Sequence, residues 1–417
     1  MSERDIVVIG AGVVGISCAR WLQRDGHRVR VLDPQAPGQG CSFGNAGVFA
    51  VDSFIPVATP QTLKSVPRML LSPASPLRLC WLDLPRLTPW LMRFALQTRR
   101  ARVRAATEAL AGLCAGAMEG WRVITEGRPA AALMRHTGWA TVFERAVTAA
   151  SACAAMEERE RHGCRVRWLE GSELHARIPG LRHDAAAAAE LPDVWMCADP
   201  AGFVERLADD LHGDCGTIEP ERVTSLRRND SGVRVETAAG AIQADHVVVA
   251  AGGESERLAT GLGDRLGLAA ERGYHAMLAS GEGGPPMPIM SGEHKFVTTP
   301  MARGLRLAGT SEFARADRPA DPRRVDVLLQ RGRHLFPWLR TDEYTSWLGA
   351  RSTTPDSVPV IGRSATIPAV TYACGHQHLG LTLAGITGRL VADDLAGRDP
   401  GIDMRPLRPN RFRILSG

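Results

Sequence analysis

The chain has no cysteine pair at CxxC spacing, no apolar run near the roughly 18 residues that a membrane-spanning helix needs, and little excess of either charge. Each shortage excludes something. The nine cysteines are scattered and odd in number. That fits reduced thiols and excludes a disulfide framework and the usual zinc or iron–sulfur sites. Fifty Lys and Arg against 45 Asp and Glu leave a formal charge of +5. This is too small for a nucleic-acid footprint, and no basic patch is interleaved with aromatics. No metal-ligand cluster, Ser–His–Asp signature or Walker loop is present. The N-terminus enters a strand within five residues, which leaves no room for a signal peptide. A cytoplasmic globular protein is expected, and at 417 residues it exceeds one ordinary core, so two domains are expected.

What is present begins with Gly10-Ala11-Gly12-Val13-Val14-Gly15. Ile6 to Ile9 before it is a β-branched apolar run, as a buried parallel strand requires. Ile16 to Asp25 after it has helical spacing, with Gly26 as a cap. Arg28 to Leu32 is a second strand, ending at Asp33. Gly10 permits the tight turn, Gly12 lets a pyrophosphate approach the backbone, and Gly15 lets the helix pack close to the sheet. The helix N-terminus offers amides to phosphates. Asp33, 18 residues beyond Gly15, can accept from a ribose diol. With strand, helix, second strand and acid in register, the hexapeptide reads as a dinucleotide turn.

Ser42-Phe43-Gly44-Asn45-Ala46-Gly47 is small and polar and lies past the carboxyl end of the second strand, where ligands bind in open α/β sheets. Ser42, Asn45, Ala46 and Gly47 are candidate cofactor lining, with a simple loop as the alternative. Val51 to Pro89 is proline-dense and aperiodic. Trp90 to Ala106 reads as a basic amphipathic helix, which suits either an anionic membrane surface or solvent. A strand is expected over 139–143, helices over 147–161 and 172–176, and a strand over 165–169. A helix opens at Asp199-Pro200. Three short strands follow over 222–226, 232–236 and 241–243, the first two joined by the turn 229–232. His246 to Gly253 is an apolar strand running into a glycine turn, with Ala251 and Gly252 at its end. Glu271-Arg272-Gly273-Tyr274-His275 is a polar cluster, 281–288 a turn, 296–310 antiparallel strands and 323–336 a helix. Tyr372 to Thr382 is a second strand–turn–helix, with Gly375, Leu379, Gly380, Leu381 and Thr382 at an amide-rich end free to meet a ligand. Ala185 to Ala189 is low in complexity.

With these pieces placed, the sequence resembles the FAD-dependent amino-acid oxidoreductases of the D-amino-acid oxidase superfamily, and most of all the bacterial D-amino-acid dehydrogenases of the small-subunit type. The specific parts are Val7 to Gly15, Ser42 to Gly47, Val247 to Gly253, Arg272 to His275, Gly349 through Gly362, and Gly375 to Thr382. The resemblance implies an α/β protein in which a Rossmann-like FAD-binding domain (1–50, 195–261 and 346–417) is interleaved with an α+β substrate domain (51–194 and 262–345) on a mixed, largely antiparallel sheet. It implies that Val223 meets the adenine through its backbone and that Arg351 pairs with the substrate carboxylate, a task the guanidinium suits because it binds bidentately and stays charged. Asp33 stands where the family commonly has glutamate, and Ser352 where a proline commonly follows the arginine.

The reaction so implied is oxidation of a D-amino acid at Cα–N, with D-proline and hydroxylated D-proline among the candidates. Glycine, sarcosine or another secondary amine is the alternative substrate, and a flavin subunit of a larger electron-relay complex the alternative role. The N-terminus of the helix after His378 would stabilise charge on the flavin. His376 and His378 are candidate acid–base groups or hydrogen-bonded structural histidines. Tyr274 and His275 either line the substrate pocket or pack the start of their strand. A quinone or dye-like electron acceptor and peripheral contact with the inner face of a membrane are further expectations.

Overall fold

The computed structural model describes residues 3–71, 75–229, 232–279 and 284–412. Asp230 and Ser231 of the expected turn at 229–232, and residues 281–283 of that at 281–288, lie outside them.

The apolar runs build a six-stranded sheet in the order Thr217–Glu219, Arg28–Leu32, Asp5–Ile9, His246–Val249, Val370–Cys374, Val360–Arg363. The first five are parallel and the last is antiparallel. Asp5–Ile9 shows why continuous apolarity was needed: Ile6 and Val8 face one hydrophobic core, and Val7 and Ile9 the other. The first core is closed by the helices Val13–Arg24, Pro200–Gly213, Arg100–Thr125 and Gly380–Ala396. The second is closed by the hairpin sheet Val223–Ala244 and the helix Ser255–Gly261. Strand order reverses between Asp5–Ile9 and His246–Val249, and ligands of open parallel sheets bind at the carboxyl ends flanking such a reversal.

A nine-stranded sheet forms the other layer. Its main path runs Tyr344–Thr353, Ala269–Leu278, Gly304–Phe313, Phe296–Met301, Ile289–Ser291, Trp139–Phe143, Ala187–Leu191, Arg167–Leu169, with Leu77–Leu79 added beside Gly304–Phe313. Two pairings are parallel and the rest antiparallel. The mixed, largely antiparallel sheet is therefore present. Tyr344–Thr353, which the expected boundary at 346 divides, pairs along its whole length with Ala269–Leu278. Val48–Phe49 pairs with Trp195–Cys197, so the stretches near residues 50 and 195, where domain boundaries are expected, lie side by side.

Three local readings are corrected. The alanine tract is the buried strand Ala187–Leu191, whose small side chains let the helix Ala146–Arg161 lie close above it. The expected helix over 90–106 is two, Leu84–Gln97 and Arg100–Thr125. They part where the Thr98 hydroxyl donates to the Ala95 carbonyl and Arg99 turns extended, the local competition that makes threonine a poor interior helix residue. The aperiodic stretch before them contains the helix Pro60–Leu71, and Leu84–Gln97 begins with a proline in its first turn, where no amide is needed.

Candidate active site

The glycine turn is shaped by contacts that leave no room for side chains. Gly10 has φ +110°, and a Cβ there would lie 2.5 Å from the Ala250 carbonyl oxygen. A Cβ on Gly15 would lie 1.9 Å from the Gly10 oxygen, so strand and helix touch backbone to backbone. Gly12 differs: its Cβ would meet nothing nearer than the Ser42 hydroxyl at 3.5 Å. The turn is tied from outside by two side chains. The Ala11 N–H donates to Asp33 at 2.8 Å, and the Val13 N–H donates to the Ser42 hydroxyl at 2.9 Å. Gly12, as N-cap of the helix Val13–Arg24, adds no side-chain bond.

A second helix start stands beside the first. Gly375, with φ +75°, turns the chain out of Val370–Cys374, a short 3₁₀ turn covers Gln377–Leu379, and the helix Gly380–Ala396 begins without a side-chain cap. A Cβ on Gly380 would lie 4.0 Å from Val13, so the two helix starts adjoin at Val13 and Gly380. Thr382 is turned inward, its hydroxyl accepting from the Ala50 N–H. Ala251 and Gly252 follow the adjoining strand. Asp33 also accepts from the Gln35 N–H and is linked by its own N–H to the Glu219 carbonyl, just before Val223. Val223 is buried, and its carbonyl accepts from Arg257 at 3.0 Å.

The opposite wall is one face of two paired strands. Register places Glu271 opposite Arg351, Gly273 opposite Gly349, and His275 opposite Trp347. Alternation puts all six on the same face. The two glycines leave hollows that the long side chains fill: a Cβ on Gly273 would lie 2.4 Å from the Arg351 guanidinium, and one on Gly349 would lie 2.0 Å from the Trp347 ring. Arg351 and Trp347 thus lie flat across the glycine pair. Trp347 stacks on His275 with centroids 5.3 Å apart, and both adjoin Phe43. The segment carrying Phe43, Asn45, Ala46 and Gly47 is fastened to this sheet by Arg306, whose guanidinium donates to the Phe43 and Asn45 carbonyls, and by the Thr299 hydroxyl, which donates to the Ala46 carbonyl. Asn45 accepts from the Gly47 N–H.

Glu271 carries the densest polar contacts of this floor. It accepts from the Ser311 hydroxyl at 2.6 Å, the Thr353 hydroxyl at 3.0 Å and Arg351 at 3.2 Å. Burial pulls its pKa upward, but Arg351, Ser311, the nearby His378 and Thr353 outweigh that and hold it below the ordinary carboxylate value. His378 presents exposed surface to the cleft while being walled in by protein. Burial lowers its pKa, Glu271 opposes the shift and Arg351 adds to it. Cys41 has the same character, with burial raising its thiol and Arg351 opposing.

Arg351, His275 and His378 are therefore brought together, and two expected site residues are not. His376 is buried and hydrogen-bonded through Nε2 to the Thr387 hydroxyl at 2.9 Å, with its pKa lowered to about 4 by burial. Tyr274 points to the far face of its strand, into the second layer's core, where its hydroxyl donates to Glu312 at 2.8 Å and accepts from the Asp321 N–H. The alternation that sends His275 to the cleft sends Tyr274 away from it. Sequence reasoning missed Glu271 and Trp347 as site residues. Glu271 lies in the polar cluster already singled out and Trp347 two residues before Gly349, and period-two spacing from His275 and Arg351 would have found them. Elsewhere, Glu144, His294 and His334 bring ligand-type atoms within 4.8 Å of one another. Arg182 already meets that carboxylate at 3.2 Å, supplying the cation.

The sequence profile of the FAD-dependent oxidoreductase family matches residues 5–394. The chain belongs to this family. It is 35% identical to the D-amino-acid oxidase of Bradyrhizobium diazoefficiens over 98% of this chain and 99% of that one. It is 34% identical to D-amino acid dehydrogenase 2 of Ralstonia nicotianae over 96% and 98%. The solved structure of glycine oxidase from Geobacillus kaustophilus shares the fold, with a TM-score of 0.75 at 23% identity, covering 99% of this chain and all of that one. The residues fit the family's cofactor. Two uncapped helix starts side by side and a turn open only at Gly12 form a cradle that a dinucleotide's phosphates would enter. Asp33 stands at the second strand's end where a ribose is held.

Proposed function

We propose that this enzyme oxidises D-amino acids at the Cα–N bond, secondary amines such as D-proline and hydroxylated D-proline included, to imino acids that water then hydrolyses. FAD, when bound, supplies the acceptor for the hydride that leaves Cα. The turn Gly10–Gly15 with Asp33 and Ser42, the segment Asn45–Gly47, Val223, Ala251 and Gly252, and Gly375 with Leu379–Thr382 are the residues assigned to hold it. The names of the curated relatives support the substrate class. The observation that carries the reading is Arg351, laid across Gly273 on the floor of the cleft. One bond of 3.2 Å to Glu271 leaves most of its donors for a substrate carboxylate.

His275 and Trp347 give the site an apolar side, which suits a compact side chain or pyrrolidine ring. His378, kept neutral by its surroundings, is the group suited to take the proton an amine sheds. Glu271 adds a fixed negative charge that attracts the amine and disfavours a second substrate carboxylate. The decisive experiment is anaerobic reduction of the yellow holoenzyme by a panel of D-alanine, D-proline, hydroxylated D-proline, glycine and sarcosine. Bleaching by the D-amino acids, fastest with the cyclic ones, is expected. No bleaching by any D-amino acid would refute the proposal. Reoxidation by air against a quinone or dye then identifies the acceptor.

A further inference from the structure

Four arginines lie buried among the described residues, and three of them face acids. Arg20 meets Asp214 at 2.9 Å, Arg272 meets Glu312 at 3.4 Å, and Arg324 shares Glu312. Arg306 is 5% exposed and forms no ion pair among the described residues. Burial pulls its pKa down to about 10, and Asp199 and Cys197 oppose this only in part. A guanidinium stripped of water without a counter-charge is costly, so its place in the fold needs a reason.

Register sets Arg306 between Met277 and Thr299, and alternation puts it on the same face as His275, toward the cleft. Burial, and next the charge of Arg306, lower the His275 pKa to about 3, so the field of the guanidinium reaches the cleft. What Arg306 touches is backbone. Its Nη1 donates to the Phe43 carbonyl at 3.0 Å and to the Asn45 carbonyl, while its Nε is buried without a partner.

The described peptide bonds are trans, so each peptide unit turns its N–H away from its own carbonyl. With the Phe43 and Asn45 carbonyls turned to the guanidinium, the N–H groups of Gly44 and Ala46 point the opposite way, off the sheet. Neither donates to any group among the described residues. The cation thus pulls on two carbonyls, and this polarises two free amides on the other side. Amides held in place beforehand stabilise negative charge that develops beside them.

We propose that Arg306 is a positioning residue for the oxidation. Through the two peptide units that follow Phe43 and Asn45, it aims and polarises the amides that meet the negative charge a hydride brings to the cofactor. The inference rests on the assignment of residues 45–47 to the cofactor and holds whichever amine is oxidised. A positive charge left unmatched in the resting protein is matched on reduction, which favours the reduced form.

The test is the midpoint potential of the purified holoenzyme, measured by dithionite titration against reference dyes with no amine present. Arg306→Gln keeps an amide donor for the carbonyls and removes the charge. Its potential should fall by about 30 mV, the two-electron equivalent of a tenfold loss in the stability of reduced over oxidised cofactor. Sulfite, which adds to the oxidised flavin and leaves negative charge on its ring, should bind about tenfold more weakly. Arg306→Lys, which keeps the charge, should show less than half of each change. If Arg306→Gln fails to fold, the unaltered protein still decides. At about pH 6 its reduced spectrum should be that of the anionic flavin, since nearby positive charge disfavours the second proton. A neutral reduced flavin there overturns the proposal. So does an unchanged potential in flavin-replete Arg306→Gln, which would make Arg306 a rivet for the segment and nothing more. A cofactor that no D-amino acid bleaches refutes the substrate reading alone, since the potential is read without substrate.

Discussion

At the glycine turn, what faces the cleft is backbone, and it is set by residues close in the chain: Asp33 reaches Ala11 over 22 positions and Ser42 reaches Val13 over 29. At the large sheet, what faces the cleft is side chain, and Arg351 meets Glu271 across 80 positions. The first wall requires glycine because backbone atoms stand where a Cβ would be. The second requires glycine because guanidinium and indole lie there. The walls should therefore fail differently, the first by losing fold or cofactor and the second by losing reaction while flavin stays.

The largest effect belongs to Gly15. With a Cβ 1.9 Å from the Gly10 oxygen, Gly15→Val should cost more than about 3 kcal/mol and yield protein without flavin absorption. Gly12→Ala sharpens the point. Its nearest neighbour would be 3.5 Å away, so the fold should survive with circular dichroism unchanged, while FAD affinity falls at least about tenfold because the methyl stands where the pyrophosphate approaches. If Gly12→Ala unfolds as Gly15→Val does, the turn is structural throughout.

Next comes Arg351. Arg351→Ala should lower kcat/KM for a D-amino acid by about 10²–10³-fold, as loss of a charge-assisted carboxylate contact does, with flavin content intact. Arg351→Lys should restore only part of this. Full activity in Arg351→Ala would remove the carboxylate reading altogether.

The two neighbouring histidines divide the walls more finely. His376 belongs to the interior, with a folded pKa of about 4, whereas an unfolded chain protonates near 6.5. The unfolded state therefore gains the proton first. The contribution is fully present above about pH 6.5 and is lost as pH falls toward 4, amounting to about 2 kcal/mol by pH 5. His376→Asn should flatten the fall in urea midpoint between neutral pH and pH 5. An unchanged slope would assign that sensitivity to other groups such as His246 and His275, which burial lowers to about 3.

These differences track what could be read from the chain. Four strands of the six-stranded sheet were legible, three of them as apolar runs that lead into a glycine turn, while Thr217–Glu219 and Val360–Arg363 were not expected. The cofactor turn was legible because each requirement falls within a short span. The large sheet was legible only in kind. Ala187–Leu191 lacks the β-branched residues that announce a strand, since its small side chains answer to a helix packed above them. Arg351 was found through a resemblance. That Glu271 and Tyr274 face opposite ways follows from alternation along one strand, but which of the two faces the cleft is decided by what the sheet packs against far along the chain.

The smallest expected effect tests whether the substrate wall selects as well as holds. Ser311, Thr353 and Arg351 keep Glu271 ionised, so a substrate with a second carboxylate meets an added repulsion. Glu271→Gln removes the charge with little change of shape, and its carbonyl can still accept from one of the two hydroxyls. Overall kcat/KM should fall modestly as Arg351 loses its partner. The ratio for D-aspartate relative to D-alanine should rise about tenfold, equivalent to about 1.4 kcal/mol of like-charge repulsion in a partly screened cleft. Steady-state rates on the two substrates decide it. An unchanged ratio with a raised KM for both would make Glu271 a positioning residue for Arg351, and the floor would then read a carboxylate without judging what else the substrate carries.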